Sequence, residues 1–258
     1  MTFTLLRAVL TDSLRSRWVI VYAVFFALVT EGLLYFTSGE ARVTIGLMNV
    51  VLLLLPLGSI IFGTMHIHDS RDFLELVLVQ PVKRTAVYHA LWLGVVLPFL
   101  AAFTLGTAVP MAIHGKLFAP ISLVVLLAGN LVTMVFFAIA YVVGLAFREK
   151  ATAMGVGFLV WLLLGVVYDG LILATTVAFT NYPMEVPTVV MITANPIDLA
   201  RIFIMLTFDQ AALLGQTGAV FRQFYGSLLG STVAVLCLLL WIGIPYLIAL
   251  RMFRRRDW

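Results

Sequence analysis

Long apolar runs separated by short polar stretches dominate the hydrophobic pattern of this chain. A helix needs about 20 apolar residues to cross the hydrocarbon core of a bilayer. Because the backbone finds no water there, a run of that length must be helical to pair its own amides. The pattern therefore predicts an all-α membrane protein, a single domain over residues 1–258. Its six transmembrane helices are predicted at residues 18–36, 45–65, 91–113, 120–147, 154–179 and 227–250.

The composition agrees with this prediction. Of the 258 residues, 63% are hydrophobic and 11% are charged, whereas a soluble domain has about 25% charged residues. This balance excludes a soluble globular protein, a disordered chain and a nucleic-acid-binding protein. The single cysteine, Cys237, excludes a disulfide framework and any metal site built from several cysteines. We expect no metal site in this chain.

The positively charged residues predict the orientation in the membrane. Most of the 16 Lys and Arg residues lie in connections that fall on one side, within residues 1–17, 66–90, 148–150 and 251–258. Because cytoplasmic loops carry the excess of Lys and Arg, both termini and segment 66–90 are predicted to be cytoplasmic, and segment 180–226 external. The basic residues of the external connections are Arg42, Lys116, Arg201 and Arg222.

Segment 66–90 contains the pattern of a short helix that cannot span the membrane. Ser70 is a typical helix-start residue, and Asp72 lies in the first turn, where a carboxylate suits the helix dipole. The residue before a proline disfavours the helical conformation, so this helix should end at Gln80, and Pro81 suits the first position of a second helix. We interpret the first helix as either an interfacial linker or a docking helix for a cytoplasmic protein. The candidate docking residues are Arg71, Asp72, Phe73, Leu74, Glu75, Leu76, Val77, Pro81, Lys83 and Arg84.

The external segment 180–226 contains a second short apolar helix. Asn195 is a plausible N-cap, and Pro196 suits the first helical position. Asp198 and Arg201 are three residues apart, so their side chains meet on one helix face. This helix is predicted to lie in the outer interface, as a packing lid or as a contact that relays motion to an external partner, and the two roles are compatible.

Two acidic residues, Glu31 and Asp169, fall inside apolar runs. Carboxylates at this depth usually hydrogen-bond to neighbouring helices, reach the interface or line a cavity. A proton-coupled secondary carrier is one alternative. It predicts further paired intramembrane charges and repeat symmetry, and neither is evident in the sequence.

Common catalytic and nucleotide-binding patterns are absent from the sequence. There is no G-x-x-x-x-G-K-[ST] loop to hold phosphates, and no G-x-S-x-G or H-E-x-x-H motif. We therefore expect a non-catalytic subunit with no catalytic residues and no cofactor of its own.

Two segments carry a family resemblance. The stretch Phe73–Arg84 resembles the L-E-L-L-L-x-x-P-x-x-R sequence that follows the second span of type-2 ABC transporter (ABC-2) permeases, and residues 252–258 resemble their closing F-x-R-R-D. The pair Asp72-Phe73 departs from the family, which often has Arg/Glu-x-Gly-Thr before the leucine run. The resemblance implies the six-helix, type V exporter-like permease fold, with segment 66–90 as the coupling helix.

The same resemblance implies the partners and the location. A second copy of the chain and two copies of a cytoplasmic ABC ATPase, which binds ATP and Mg²⁺, would form the complex in the lipids of the bacterial inner membrane. Within the family, Asn195–Met205 resembles the outer helix of permeases from nitrous oxide reductase maturation transporters. That implies a periplasmic β-helical accessory protein and a role in assembling a copper enzyme. The alternative is a generic ABC-2 exporter of lipid, glycan or drug.

Overall fold

The structure, a computed structural model, describes residues 2–37, 39–179, 185–207 and 215–256. These residues form helices and short turns, with no strand among them. In chain order the elements are α1 (Thr2–Arg15), α2 (Arg17–Phe36), α3 (Glu40–Asp69), α4 (Arg71–Leu78), α5 (Arg84–Ile113), α6 (Pro120–Ala146), α7 (Lys150–Leu162), a π-helical segment (Leu163–Val167), α8 (Tyr168–Ala178), α9 (Glu185–Thr193), α10 (Pro196–Thr207) and α11 (Gly215–Arg255).

Six helices in the described part of the chain are long and apolar enough to cross a membrane. The fifth of them is the continuous succession of α7, the π-helical segment and α8. The chain is therefore an all-α, multi-pass membrane protein, and the prediction of six membrane-spanning helices is confirmed. The six are Arg17–Phe36, Arg42–Asp69, Arg84–Ile113, Pro120–Ala146, Lys150–Ala178 and Gly230–Arg255.

Several helices extend beyond the apolar runs that predicted them. Helix α3 continues to Asp69, and α5 already begins at Arg84. Helix α11 begins at Gly215, so residues 215–226 are helical and not a loop of the external segment. The apolar run marks only the part of a helix that suits hydrocarbon, and the backbone hydrogen-bond ladder continues into the polar interface until a breaker ends it.

Helices α5 and α6 form the centre of the bundle. Within their most apolar stretches 67% of α6 and 56% of α5 is buried, against 22% of α2. Glycines bring the backbones close: an added Cβ at Gly144 would lie 2.2 Å from Cγ2 of Ile67, and one at Gly106 would lie 2.5 Å from the carbonyl oxygen of Ala23. Close packing through small residues is typical of membrane helices, since lipid provides no hydrophobic force between them.

The bundle has two ends that carry the candidate sites. Helix α4 lies at one end, near the C-termini of α6 and α11, and we call this the α4 end. Helices α9 and α10 lie at the other, against α8, and we call this the α10 end. Of the predicted external segment 180–226, residues 180–184 and 208–214 lie outside the described residues, as do residues 257–258 of the closing motif.

Candidate functional site

Helix α4 has one face packed on the bundle and one face open. Leu74 is fully buried and Val77 nearly so, and both belong to the main hydrophobic core. About 100° further round the helix, Leu76 is 73% exposed and Phe73 is 38% exposed. Leu74 and Val77 thus hold the helix in place, while Phe73 and Leu76 are available for contact. The helix is therefore amphipathic.

Acidic side chains accompany the exposed apolar pair. Asp72 and Glu75 are exposed on α4, and Val79, just beyond its C-terminus, is 88% exposed. Carboxylates beside the apolar residues disfavour an anionic lipid surface and favour a protein partner. Val79 is the last apolar residue of the run that begins at Phe73, but it was not among the predicted docking residues.

Three arginine hydrogen bonds fix α4 and the start of α5 to neighbouring helices. The guanidinium of Arg71 donates to the carbonyl oxygen of Phe147, just after α6, at 3.3 Å. Arg84 donates to the carbonyl oxygens of Arg254 at 3.1 Å and Arg256 at 2.9 Å, at the end of α11. Both arginines cover helix C-terminal carbonyls that have no partner within their own helix. The two arginines anchor the segment to the bundle, and their role in docking stays a prediction.

The connection from α4 to α5 differs from the prediction. Helix α4 ends at Leu78, and the exposed Pro81 lies in a non-helical turn. No second helix begins at Pro81, because α5 begins three residues later at Arg84, with Lys83 as its N-cap. The predicted pair of cytoplasmic helices is therefore one short helix and a turn, which leaves Pro81 and Lys83 exposed beside α4.

A cluster of three charged residues lies at the α10 end. The guanidinium of Arg201 on α10 donates to Asp169 Oδ2 of α8 and to Asp198 Oδ1 of its own helix, both at 3.0 Å. The Asp198 side chain is 7% exposed, that of Arg201 26% and that of Asp169 42%. The sequence predicted that Asp198 and Arg201 meet. It did not predict that Asp169, an acidic residue inside an apolar run, joins α8 to α10 through the same arginine.

Asn195 connects this cluster to the π-helical segment. Its side-chain oxygen accepts from the backbone amide of Ile197 at 3.0 Å, as expected of an N-cap, and Pro196 is the first residue of α10. Its amide nitrogen donates to the carbonyl oxygen of Leu164 at 2.8 Å and to Asp198 Oδ2 at 2.9 Å. A π-helical segment shifts the regular hydrogen-bond ladder and often marks a functional site. The Asn195 side chain thus provides a hydrogen-bond donor for a carbonyl of the π-helical segment and also caps the start of α10.

Two further hydrogen bonds hold the bent pair α9–α10. The chain bends by 111° between the two helices. The hydroxyl of Tyr168 on α8 donates to the carbonyl oxygen of Met191 at 2.7 Å, and the indole of Trp241 on α11 donates to that of Thr193 at 3.3 Å. The pair is therefore connected to both α8 and α11, so a movement of either helix is transmitted to it.

The other predicted intramembrane acid, Glu31, lies on α2 away from this cluster. Its carboxylate is 3.7 Å from Nε2 of His114, at the C-cap of α5. The Glu31 side chain is 45% exposed. The contact places Glu31 near the end of two spanning helices, where a carboxylate reaches the polar interface.

Comparison with known proteins identifies the family. Residues 44–258, which run from the second turn of α3 onwards and make up most of the chain, match the family described as ABC-2 family transporter protein. The chain belongs to this family. Its members are typically non-catalytic membrane subunits that work with an ATPase partner. The resemblance of segment 73–84 to ABC-2 permeases is thereby confirmed.

Two relatives align with this ABC-2 permease over nearly the whole length. A protein of Stutzerimonas stutzeri named probable ABC transporter permease protein NosY is 28% identical, covering 97% of this chain and 96% of the relative. A protein of Pseudomonas aeruginosa with the same name is 26% identical, covering 99% of this chain and 98% of the relative. The chain is thus similar to NosY permeases from end to end.

Proposed function

We propose that this chain is the membrane subunit that couples ATP hydrolysis by a separate ABC ATPase to transport or conformational signalling across the membrane. The observation that carries the proposal is the open face of α4. Phe73 and Leu76 project from a helix whose adjacent face is buried and whose first residue is hydrogen-bonded to the residue after α6. Such a helix moves with the bundle, so force applied to its exposed face reaches the spanning helices.

The path to the other end of the bundle runs along α11. At the α4 end, the carbonyl oxygen of Arg254 accepts from Arg84. Further along the same helix, Trp241 donates to the carbonyl oxygen of Thr193 in α9. Trp241 and Arg254 are 13 positions apart, which corresponds to about 20 Å of helix. Helix α11 is continuous over this length, with Pro245 inside it, and in this proposal it carries a tilt at α4 to the α9–α10 pair as a rigid-body movement.

The proposal includes the arrangement of the complex. Two copies of this chain pair in the bacterial inner membrane, each docked on one cytoplasmic ATPase that binds ATP and Mg²⁺. Both termini and α4 face the cytoplasm, and α9–α10 face the periplasm, which agrees with the excess of Lys and Arg at the α4 end. Asn195, Pro196, Asp198 and Arg201 then lie where a periplasmic accessory protein of β-helical type receives the motion.

The cellular role that we propose is maturation of nitrous oxide reductase, with its copper or sulfur centre. Full-length similarity to two proteins named NosY supports this role over a generic exporter of lipid, glycan or drug. A secondary carrier is disfavoured because the ion pair with Arg201 gives Asp169 a structural role, which joins α8 to α10.

Cells that encode this chain provide the test. Deletion of its gene is expected to abolish assembly of spectroscopically complete nitrous oxide reductase while the reductase polypeptide is still made. Reintroduced wild-type chain restores assembly, but not when the cognate ATPase carries a substitution that blocks hydrolysis. Assembly at the wild-type level without this chain would refute the maturation role, and assembly with the hydrolysis-dead ATPase would refute the coupling role.

A further inference from the structure

The α4 end contains a positively charged cavity beside the exposed side chains of α4. It is open, has a volume of about 610 Å³ and lies between α4, the end of α6 and the end of α11. Four arginines line it with a single carboxylate, Glu75, among the described lining residues; the arginines are Arg71, Arg148, Arg255 and Arg256. The lining has a clear excess of positive charge, which is the property of a site for an anion.

The cavity lies at the depth of the lipid headgroups. Ala146, which lines it, is the last residue of α6, and Arg148 follows two residues later. On the other side Met252 and Arg255 belong to the last turn of α11. Both α6 and α11 are spanning helices, so their final turns leave the hydrocarbon core at this level. A protein partner in the cytoplasm approaches from outside, whereas a lipid phosphate is already present at this depth.

Two of the four cavity arginines are held in position by the protein itself. Arg71 donates to the carbonyl oxygen of Phe147 at 3.3 Å, and Arg256 donates to that of Leu145 at 2.7 Å. A guanidinium has five N–H donors, so the carbonyl contact of Arg71 orients this side chain and uses only part of its donor capacity. Burial and the positive charges of Arg71 and Arg148 lower the pKa of Arg256. Like charges crowded in this way are relieved by a bound anion.

We propose that this cavity binds the phosphate of an anionic phospholipid headgroup. Paired guanidiniums match the geometry of a phosphate through bidentate hydrogen bonds, and basic pockets between membrane helices are known recognition sites for anionic lipids. Arg71 is the first residue of α4, so an occupied cavity fixes α4 relative to α6 and α11. The lipid thereby sets how firmly the docking helix is connected to the bundle. The site does not require the ATPase and does not depend on the cellular role proposed above.

The test compares two double variants of equal charge. Arg148→Gln with Arg255→Gln removes two cavity arginines, while Arg251→Gln with Arg254→Gln removes two exposed arginines of α11 that do not line the cavity. Phosphatidylglycerol binding to the isolated permease is measured by native mass spectrometry from micelles, with phosphatidylcholine as the neutral lipid. The cavity variant is expected to bind phosphatidylglycerol roughly tenfold more weakly than the wild type, and the control variant within about twofold.

A second variant separates loss of the lipid site from a folding defect. Ala146→Phe fills part of the cavity without changing the charge, and it is expected to weaken phosphatidylglycerol binding while thermal stability in detergent stays at the wild-type value. Equal loss in the cavity and control variants would overturn the proposal, because it would indicate general attraction to a basic surface. Inorganic phosphate that binds as tightly as phosphatidylglycerol would overturn the lipid assignment. Unchanged lipid binding together with lost ATPase association would also overturn it, because the cavity would then belong to the protein partner.

Discussion

Replacing Phe73 and Leu76 with aspartate is expected to abolish co-purification of this permease with its ATPase. Both side chains lie on the exposed face of α4, and a buried apolar anchor at a protein interface contributes about 2 kcal/mol or more. Each substitution also places a carboxylate beside Asp72 and Glu75. Association measured in detergent with purified subunits should weaken by a factor of roughly 100 or more.

The matched control is Phe118→Asp. Phe118 is 85% exposed and lies in the turn between α5 and α6, at the bundle end opposite α4. The same loss of an exposed apolar side chain at this place should leave ATPase association unchanged. Undiminished association of the Phe73→Asp, Leu76→Asp variant, with membrane insertion equal to that of the control, would refute docking through α4.

Replacing Arg201 with glutamine is expected to be strongly destabilising. Arg201 forms ion pairs with Asp169 and with Asp198, whose side chain is 7% exposed. Removing one partner leaves an uncompensated buried charge, which costs roughly 3–5 kcal/mol in a buried pair. The partial exposure of Asp169 places this site toward the low end of that range. The thermal midpoint of the purified permease should fall by several degrees, while ATPase association persists because α4 lies at the other end.

Two variants separate the charge cluster from a general effect of losing an arginine. Arg42→Gln removes an exposed arginine at the start of α3 and should leave the midpoint unchanged. Adding Asp198→Asn to Arg201→Gln removes the orphaned charge and should recover part of the lost stability, so the two effects are not additive. A thermal midpoint of Arg201→Gln equal to that of Arg42→Gln would contradict the proposed role of the cluster.

The sequence predicted those features that depend on local pattern. Uniformly apolar runs longer than the bilayer core permit only spanning helices, so the six spans follow directly. Helix α10 follows from Asn195-Pro196 because capping and the fixed φ of proline act within one turn. Helix α4 follows from Asp72 and the leucine run, although which of its faces is buried depends on the bundle that it contacts.

The features that the sequence did not predict depend on distant contacts. Asp169 and Arg201 are separated by 32 positions, and their meeting is determined by the rotation of α8 about its axis. The π-helical segment changes that rotation, and the single glycine within it, Gly165, does not by itself predict a π-helical turn. The helix predicted at Pro81 does not form because Arg84 reaches the end of α11 and fixes the start of α5 there. The Asp169–Arg201 contact, the π-helical segment and the turn at Pro81 all depend on packing between helices, which the local sequence of one segment does not determine.

The most direct test of the central claim is the labelling of position 76. In a chain with Cys237→Ser and Leu76→Cys, a membrane-impermeant maleimide should react from the cytoplasmic side only, and the bound ATPase should protect the thiol. Phe118→Cys, in the same background, should react from the opposite side and should not be protected. Reaction of position 76 from the periplasmic side, or equal reaction with and without the ATPase, would contradict the account.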